Sequence, residues 1–202
     1  VMIIGPYYFA LSPESIEFYY NEVAKKINGD IYIYNFPERT GYDITANLTL
    51  NLLKKNKNIV GFKDTVDQMG HTRKLITTIK KEFPNFEIFS GYDENFIHIA
   101  LSGGTGCIGA LSNLYPEIFS KWKLVIENND INKISEIQRI VDKLMDIYDI
   151  GKPFIPALKK AMKLKGINIE EYCIEPFMKS TEEEVIKIKK IIKEIEEDFN
   201  KI

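Results

Sequence analysis

The stretch Ile59–Asp67, IVGFKDTVD, decides the fold and shows where polar chemistry enters it. It begins as an apolar run of the length expected for a buried strand of a parallel sheet. Side chains alternate between the two faces of a strand, so we expect Ile59, Gly61 and Lys63 to share one face. Gly61 is expected to leave open space beside Lys63. The sequence therefore places an amine at the carboxyl end of a buried strand.

Four similar apolar runs accompany this strand, and each is followed by a stretch with helical spacing. The runs are VMIIG (1–5), DIYIYN (30–35), FEIFSGYD (86–93) and GCIGALS (106–112). The periodicity predicts helices over residues 12–27, 45–55, 67–81, 94–101 and 116–127, the first with Ser12 as N-cap and Pro13 at its first position. This alternation predicts an α/β fold with a parallel sheet and right-handed crossovers.

Two architectures fit five βα units. One is a five-stranded doubly wound sheet, which closes on its own. The other is part of a (β/α)8 barrel that lacks three units at its N-terminus. After residue 128 no further strand is predicted, and helices are expected over 130–148, 152–164 and 181–200. Thr181 and Glu184 form a capping box at the start of the last helix. We predict two domains, residues 1–128 with the βα units and residues 129–202 with the helices.

Composition narrows the class of protein. The 202 residues are 45% hydrophobic and 28% charged, with a net charge of -2, which is typical of a globular chain. There is no basic stripe that would indicate nucleic acid or a membrane surface, and no apolar run of about 20 residues. Cys107 and Cys173 lie far apart, which favours reduced thiols, a cytoplasmic location and no zinc site. A start on Val1 rather than Met suggests that the chain begins inside a longer protein.

Tyrosines occur at the ends of two other predicted strands, at positions that correspond to that of Lys63. Tyr34 closes the second strand, and Tyr7 and Tyr8 follow the first. The carboxyl ends of neighbouring strands converge on one pocket in α/β folds. A partly buried amine is biased towards its neutral form, which attacks carbonyl carbons to give a Schiff base, and a phenol relays protons. The alternative is that Lys63 pairs with Asp64 or another neighbour and that the tyrosines only pack.

Five ordered motifs then identify a resemblance. They are PYY (6–8), YNFPERTG (34–41), GFKDT (61–65), SGYD (90–93) and GGTGCIGALSN (103–113). In order and approximate spacing they resemble the dihydrodipicolinate synthase / N-acetylneuraminate lyase family of pyruvate-dependent class I aldolases, over essentially the whole chain. The resemblance implies a TIM (β/α)8 barrel, here its strand 4 to strand 8 portion, followed by a C-terminal helical domain. It also implies a homotetramer that needs no cofactor or metal. The N-terminal barrel segment that holds the pyruvate carboxylate in that family is absent.

The resemblance also assigns roles to individual residues. Lys63 matches the lysine that forms a Schiff base with pyruvate or another 2-keto acid, and Tyr34 matches the tyrosine that transfers protons. Tyr8 matches the second tyrosine of a pair that contributes to a proton relay, often across a subunit interface. Ile108 matches a residue whose backbone lies against the bound keto acid. Gly91, within the SGYD motif, is assigned to substrate binding.

Two residues bear on the aldehyde partner and point in different directions. Arg39 resembles an arginine of the synthases that holds the carboxylate of the aldehyde substrate, unless it is only a surface-turn residue. Thr65 resembles a hydroxyl residue of the sugar-acid aldolases that contacts substrate hydroxyls, unless it only caps the following segment. We favour the 2-keto-3-deoxygluconate aldolase-like branch. The alternatives are a dihydrodipicolinate synthase that condenses pyruvate with aspartate semialdehyde, and a non-catalytic α/β binding module.

Two other features are assigned no role. Gly104–Gly109 spells G-x-G-x-x-G, but the glycines precede and enter an apolar run instead of following a strand and opening a helix, so we do not predict a dinucleotide site. His71 and His98 have no metal-ligand spacing.

Overall fold

Five parallel strands form one sheet in the order in which they occur along the chain. The computed structural model describes residues 1–202, which group into two units, 1–109 and 110–202. The strands lie in the first unit: β1 (Met2–Ile4), β2 (Ile31–Asn35), β3 (Ile59–Asp64), β4 (Glu87–Ser90) and β5 (Gly106–Cys107). Their spatial order is β1-β2-β3-β4-β5, and every neighbouring pair is parallel. This order lacks the reversal that defines a doubly wound sheet. The predicted parallel α/β fold is confirmed.

The helices of the first unit connect successive strands. They are α1 (Pro13–Lys26), α2 (Pro37–Thr40), α3 (Ala46–Lys55), α4 (Met69–Ile79) and α5 (Phe96–Leu101), with a 3-10 turn at Asp93–Asn95. Helix α1 begins as predicted, because the Ser12 side chain accepts a hydrogen bond from the Ser15 amide and Pro13 occupies the first turn. A 3-10 turn at Leu111–Asn113 in the second unit, not a helix N-terminus, follows β5. The G-x-G-x-x-G run therefore lacks the setting of a dinucleotide site.

The core of this unit lies between the sheet and its helices. Ile31 and Ile33 of β2 pack there with Ile59 and Phe62 of β3, all fully or almost fully buried. Strict alternation would put Ile59 and Phe62 on opposite faces, so the prediction that Ile59 shares a face with Lys63 is wrong. The pairing of β2 with β3 shifts register after Ile31, because Ile31 faces Ile59 whereas the next residue, Tyr32, faces Gly61. An extra residue of this kind is a β-bulge, and it switches the face of every residue on one side of it.

The second unit is helical. It contains α6 (Pro116–Glu127), α7 (Ile131–Met145), α8 (Ile155–Leu164) and α9 (Glu182–Phe199), with a further 3-10 turn at Asp146–Asp149. The predicted capping box of Thr181 and Glu184 is present at the start of α9. Helix α6 groups with the helices that follow it. The predicted domain division after residue 128 stays a prediction. No helix combines the length and the apolar character needed to cross a membrane.

Candidate active site

The structure brings Lys63 and Tyr34 together at the carboxyl ends of β3 and β2. The two residues are direct partners in the parallel register. The Lys63 Nζ atom lies 4.2 Å from the centroid of the Tyr34 ring, so the amine rests on the face of the phenol. Both side chains are half-buried. Because the strands are parallel and adjacent, the pairing follows from the register alone.

Lys63 has no salt-bridge partner within 4 Å, unlike many of the lysines in the chain. The neighbouring Asp64 is buried and points to the opposite face of β3, where it binds other groups. The alternative in which Lys63 pairs with Asp64 is therefore wrong. The contact that the structure gives the amine is instead with the face of the Tyr34 ring.

Position 61, two residues before Lys63, must be a glycine because the Tyr32 ring packs against it, and not because a ligand needs the space. An added Cβ at Gly61 would lie 2.3 Å from Cδ1 of Tyr32, so the Tyr32 ring crosses the glycine and fills the space that we expected to be open. The Tyr32 hydroxyl donates a hydrogen bond to Glu87 on β4. This hydrogen bond, with a smaller effect of burial, raises the pKa of Tyr32 to about 12. Tyr32 therefore stays a neutral donor.

Further predicted site residues lie at the carboxyl ends of β3, β4 and β5. Thr65 is buried against Gly91, where an added Cβ would lie 1.8 Å from the threonine Oγ1. The Thr65 hydroxyl has no hydrogen-bond partner. The Ile108 amide donates to the Ser90 carbonyl at 2.9 Å, so this amide is already used within the sheet. Burial raises the pKa of the Cys107 thiol to about 12, which keeps it protonated and unreactive.

The remaining predicted site residues lie at the surface. Tyr8 is 86% exposed, and its ring meets that of Phe9 in an edge-to-face arrangement with centroids 4.9 Å apart. Arg39 is exposed on α2, with its guanidinium carbon 5.4 Å from the Phe36 ring centroid. The Phe36 ring in turn stacks on Tyr34 with a centroid separation of 6.0 Å. Arg39 is thus one ring away from the Lys63–Tyr34 pair, whereas Tyr8 makes no contact with it.

A buried polar network on the other face of the same strands was not predicted. Asn35 and Asp64 directly follow Tyr34 and Lys63, and their side chains are joined by a 3.0 Å hydrogen bond from Asn35 Nδ2 to Asp64 Oδ1. Asn35 Nδ2 also donates to Asp43 Oδ1 at 2.9 Å. The hydroxyl of Thr72 donates to Asp64 Oδ2 at 2.6 Å. His71 Nδ1 lies 2.8 Å from the same oxygen, and Nε2 lies 3.1 Å from Asp43 Oδ2.

His71 is therefore held between two carboxylates. The Nδ1 contact with Asp64 has hydrogen-bond geometry, whereas the Nε2 contact with Asp43 meets the ion-pair distance without that geometry, so we treat it as an ion pair. Burial alone would lower the pKa of His71, but the contacts with Asp43 and Asp64 outweigh it and raise the pKa to about 10. The Asp43 pKa is lowered, because the contact with His71 outweighs the effect of burial. His71 is a cation at neutral pH.

A pocket of about 320 Å³ lies between the loops that follow β2 and β3. Three of its lining residues are carboxylates, Glu38, Asp43 and Asp67, and His71 is the cation among them. Thr65 also lines it. The chain contains no group of three or more His, Cys, Asp or Glu side chains placed to hold a metal ion.

Comparison with known proteins places this geometry in a family. The model of the dihydrodipicolinate synthetase family matches residues 1–195. A probable 2-dehydro-3-deoxy-D-pentonate aldolase of Escherichia coli K12 is 34% identical over 187 residues, which are 91% of this chain and 61% of that protein. A putative 2-dehydro-3-deoxy-D-gluconate aldolase of the same organism, YagE, is 28% identical over 96% of this chain and 65% of its own length.

The crystal structure of YagE in complex with pyruvate superposes with a TM-score of 0.92, covering 96% of this chain and 65% of that chain at 28% identity. The chain thus spans less than two thirds of the length of these relatives. The resemblance identified from the five motifs is confirmed.

The contact between Gly61 and Tyr32 predicts that Gly61→Ala is destabilising. The added methyl group must displace the Tyr32 ring and its hydrogen bond to Glu87, at a cost on the order of 1–3 kcal/mol in the free energy of unfolding. Urea unfolding measures this cost. The matched control is Gly70→Ala in α4, where an added Cβ has nothing within 4 Å. Equal stability of the two variants would contradict the packing of Tyr32 across Gly61.

The charged state of His71 predicts a pH dependence of stability. Because the folded-state pKa of about 10 is above the ordinary value of 6.5, the stabilisation is complete below about pH 6.5 and is lost as the pH rises towards 10. The loss is on the order of a few kcal/mol in the free energy of unfolding. Urea unfolding of the wild type and His71→Gln between pH 6 and 10 should show a difference that shrinks as the pH rises. His98→Gln is the control, and a constant difference for His71→Gln would show that His71 is not charged.

Proposed function

This chain belongs to the dihydrodipicolinate synthetase family, and from this premise we propose that it carries the Schiff-base centre of a class I aldolase. The enzyme would be a carbon–carbon lyase that joins or separates pyruvate and an aldehyde. The observation that carries the proposal is the position of Lys63, an amine with no salt-bridge partner at a strand end, resting on the ring of Tyr34. A non-catalytic binding module would have Lys63 directed into solvent or into a salt bridge, away from Tyr34, whereas Lys63 rests on the Tyr34 ring.

Lys63 is proposed as the nucleophile. Its neutral amine attacks the 2-keto carbon of the substrate, and loss of water with uptake of one proton from solvent gives a protonated imine. The positive nitrogen then accepts the electron pair of the C3–C4 bond as that bond breaks, which leaves an enamine. Protonation of the enamine at C3 and hydrolysis of the imine release pyruvate and restore the amine. The electron sink is supplied by the protein's own side chain.

Tyr34 is proposed as the proton carrier. As the C3–C4 bond breaks, the C4 hydroxyl must lose a proton and become the carbonyl of the departing aldehyde. The contact between the Tyr34 ring and Lys63 supports this role. Tyr8 is proposed to complete the relay from a second subunit, which its 86% exposure supports. This role requires the homo-oligomer, a tetramer, that the family resemblance implies.

We also propose that the sheet is the strand 4 to strand 8 portion of a TIM barrel, with a C-terminal helical domain after residue 128. The unreversed strand order supports this proposal. So does the high structural similarity to a protein of which the chain covers 65%. Both β1 and β5 have an unpaired edge, and three further βα units would pair both. A cytoplasmic location stays a prediction from the reduced cysteines.

For the substrate we propose a 2-keto-3-deoxy sugar acid. Two relatives carry the names of aldolases for such acids, and one of them binds pyruvate in its crystal structure. Thr65 comes two residues after Lys63, and its buried hydroxyl, which lacks a hydrogen-bond partner, is proposed to contact a substrate hydroxyl. Gly91, whose lack of a side chain leaves room for Thr65, is proposed as a substrate-binding position, and Ile108 is proposed to present its backbone to the keto acid. The alternative, dihydrodipicolinate synthase, is favoured by Arg39, one ring away from Tyr34 and suited to a carboxylate.

Borohydride trapping with pyruvate tests the nucleophile. Reduction of the imine should attach the three-carbon acid covalently to Lys63, read by mass spectrometry of the proteolysed protein. Lys63→Arg keeps the charge but forms no stable imine, so it should give no adduct. The measurement is made both on this chain and on the protein at its full natural length. No adduct on Lys63 in either preparation would rule out the Schiff-base proposal.

Tyr34→Phe tests the proton carrier separately from the nucleophile. Removal of the hydroxyl should lower kcat by about 10²- to 10⁴-fold, the range typical of general acid–base groups, while pyruvate trapping on Lys63 persists. Tyr172→Phe, at an exposed tyrosine of the second unit, is the control. A kcat near that of the wild type would assign the proton transfer to another group.

A comparison of kcat/KM for the two reactions distinguishes the two substrate classes. Cleavage of 2-keto-3-deoxygluconate should proceed with a higher kcat/KM than condensation of pyruvate with aspartate semialdehyde. Arg39→Ala should leave the cleavage within about threefold of wild type, because a neutral aldehyde offers the guanidinium no carboxylate. Faster condensation that depends on Arg39 would establish the synthase instead.

A further inference from the structure

We propose that His71 is a positioning residue for the Schiff-base centre: by bridging Asp43 and Asp64 it ties the loop after β2 to the end of β3 and so fixes Lys63 against Tyr34. The inference rests on the proposed function for its kinetic consequence. Its geometric part concerns the Lys63–Tyr34 contact and stands separately.

The first step is the correspondence between the two faces of the strand pair. Tyr34 faces Lys63 in the register, and the next residues, Asn35 and Asp64, face each other in the same way. Because side chains alternate along a strand, the Tyr34–Lys63 pair and the Asn35–Asp64 pair lie on opposite faces of the same short stretch of backbone. Whatever holds Asn35 and Asp64 in place therefore also sets the separation of Tyr34 and Lys63.

The second step is how the loop after β2 is attached. Asn35 Oδ1 accepts a hydrogen bond from the Ile44 amide at 3.1 Å, and Asn35 Nδ2 donates to Asp43. His71 extends this attachment from Asp43 to Asp64, which joins the loop to β3 through a side chain of α4. The same segment contains Phe36, which stacks on Tyr34, and Arg39, whose guanidinium lies over the Phe36 ring. The imidazole ring thus adds a second connection, beside the side chain of Asn35, between the two chain segments that flank the proposed nucleophile and proton carrier.

The third step is the charge balance. The carboxylates that face His71 are Asp64 of β3 and Asp43 of the loop, and Glu38 and Asp67 line the same pocket. The Asp64 side chain is fully buried, so a missing cation would leave it with only the neutral donors of Asn35 and Thr72. A buried charge that loses its partner is strongly destabilised. We expect the strand end and the loop to separate in response, because water can then reach Asp64.

Even a small displacement of Lys63 or Tyr34 matters in a covalent mechanism. A misplacement of about 1 Å in a reacting group can reduce a rate about 10²-fold. His71 does not touch Lys63 or Tyr34, so its effect is on their placement and not on the chemical step itself.

The test uses His71→Gln, Asp43→Asn and the double variant, with His98→Gln as the control. Gln keeps hydrogen-bonding ability but not the charge, and Asp43→Asn breaks the same link from the loop side. The first measurement needs no substrate. Brief acetylation with acetic anhydride, read by mass spectrometry, compares the amine of Lys63 with that of the exposed Lys57 in the same sample. Circular dichroism first establishes the temperature at which every variant is folded.

We expect the Lys63/Lys57 labelling ratio to rise at least about threefold in His71→Gln and in Asp43→Asn, because the amine leaves the Tyr34 ring. The double variant should show no further rise, since both changes break one link. Kinetically, kcat should fall about 10- to 100-fold while KM for pyruvate changes by less than about threefold. His98→Gln should match the wild type in every measurement.

Two results distinguish failure of this inference from failure of the proposed function. Wild-type labelling and kcat in folded His71→Gln and Asp43→Asn would overturn the positioning role even if pyruvate is trapped on Lys63. A wild type that forms no pyruvate imine, but whose Lys63 labelling rises in both variants, would overturn the reaction and support the positioning role.

Discussion

The register between β2 and β3 is the constraint on which the site depends. It places Tyr34 beside Lys63 on one face of the sheet and Asn35 beside Asp64 on the other. The buried Asn35–Asp64 hydrogen bond locks this register, since a slip by one residue would leave a buried carboxylate and a buried amide unpaired. The same slip would move Lys63 into the core. A polar pair inside an otherwise apolar layer thus specifies where the reactive amine lies.

The two faces of the β2–β3 pair differ in the charges that they carry. On one face, the His71 cation partly neutralises the carboxylates of Asp64 and Asp43. On the other face, Lys63 has an aromatic ring as its neighbour and no carboxylate within salt-bridge distance. A carboxylate beside Lys63 would stabilise the ammonium form and make the amine a poor nucleophile. Turning Asp64 away from its chain neighbour is therefore a requirement of the proposed chemistry as well as of the fold.

The sequence predicts those parts of the structure that depend on local periodicity and on parallel pairing. Strand–helix alternation gave the five strands and their helices, and the common end of parallel strands predicted that Tyr34 and Lys63 meet. The β-bulge after Ile31 was missed, because a register shift depends on the partner strand and leaves no mark in the strand itself. The space beside Gly61 was misjudged for a related reason, since the ring that fills it comes from Tyr32 on the neighbouring strand. His71 lacked the spacing of a metal site, and its partners are 28 residues upstream and in the preceding strand.

A signal for this network was nonetheless present in the sequence. Asp64 falls on the core side of its strand once the bulge is counted, and a buried carboxylate needs donors close by. The first turn of the next helix supplies two, His71 and Thr72, and the end of the neighbouring strand supplies Asn35. An acidic residue that directly follows a reactive lysine points to the opposite face of the strand. It should therefore be matched with the donors on that face and not with the lysine. The reactivity of an amine at a strand end depends on where its neighbour in the chain finds its own charge partner.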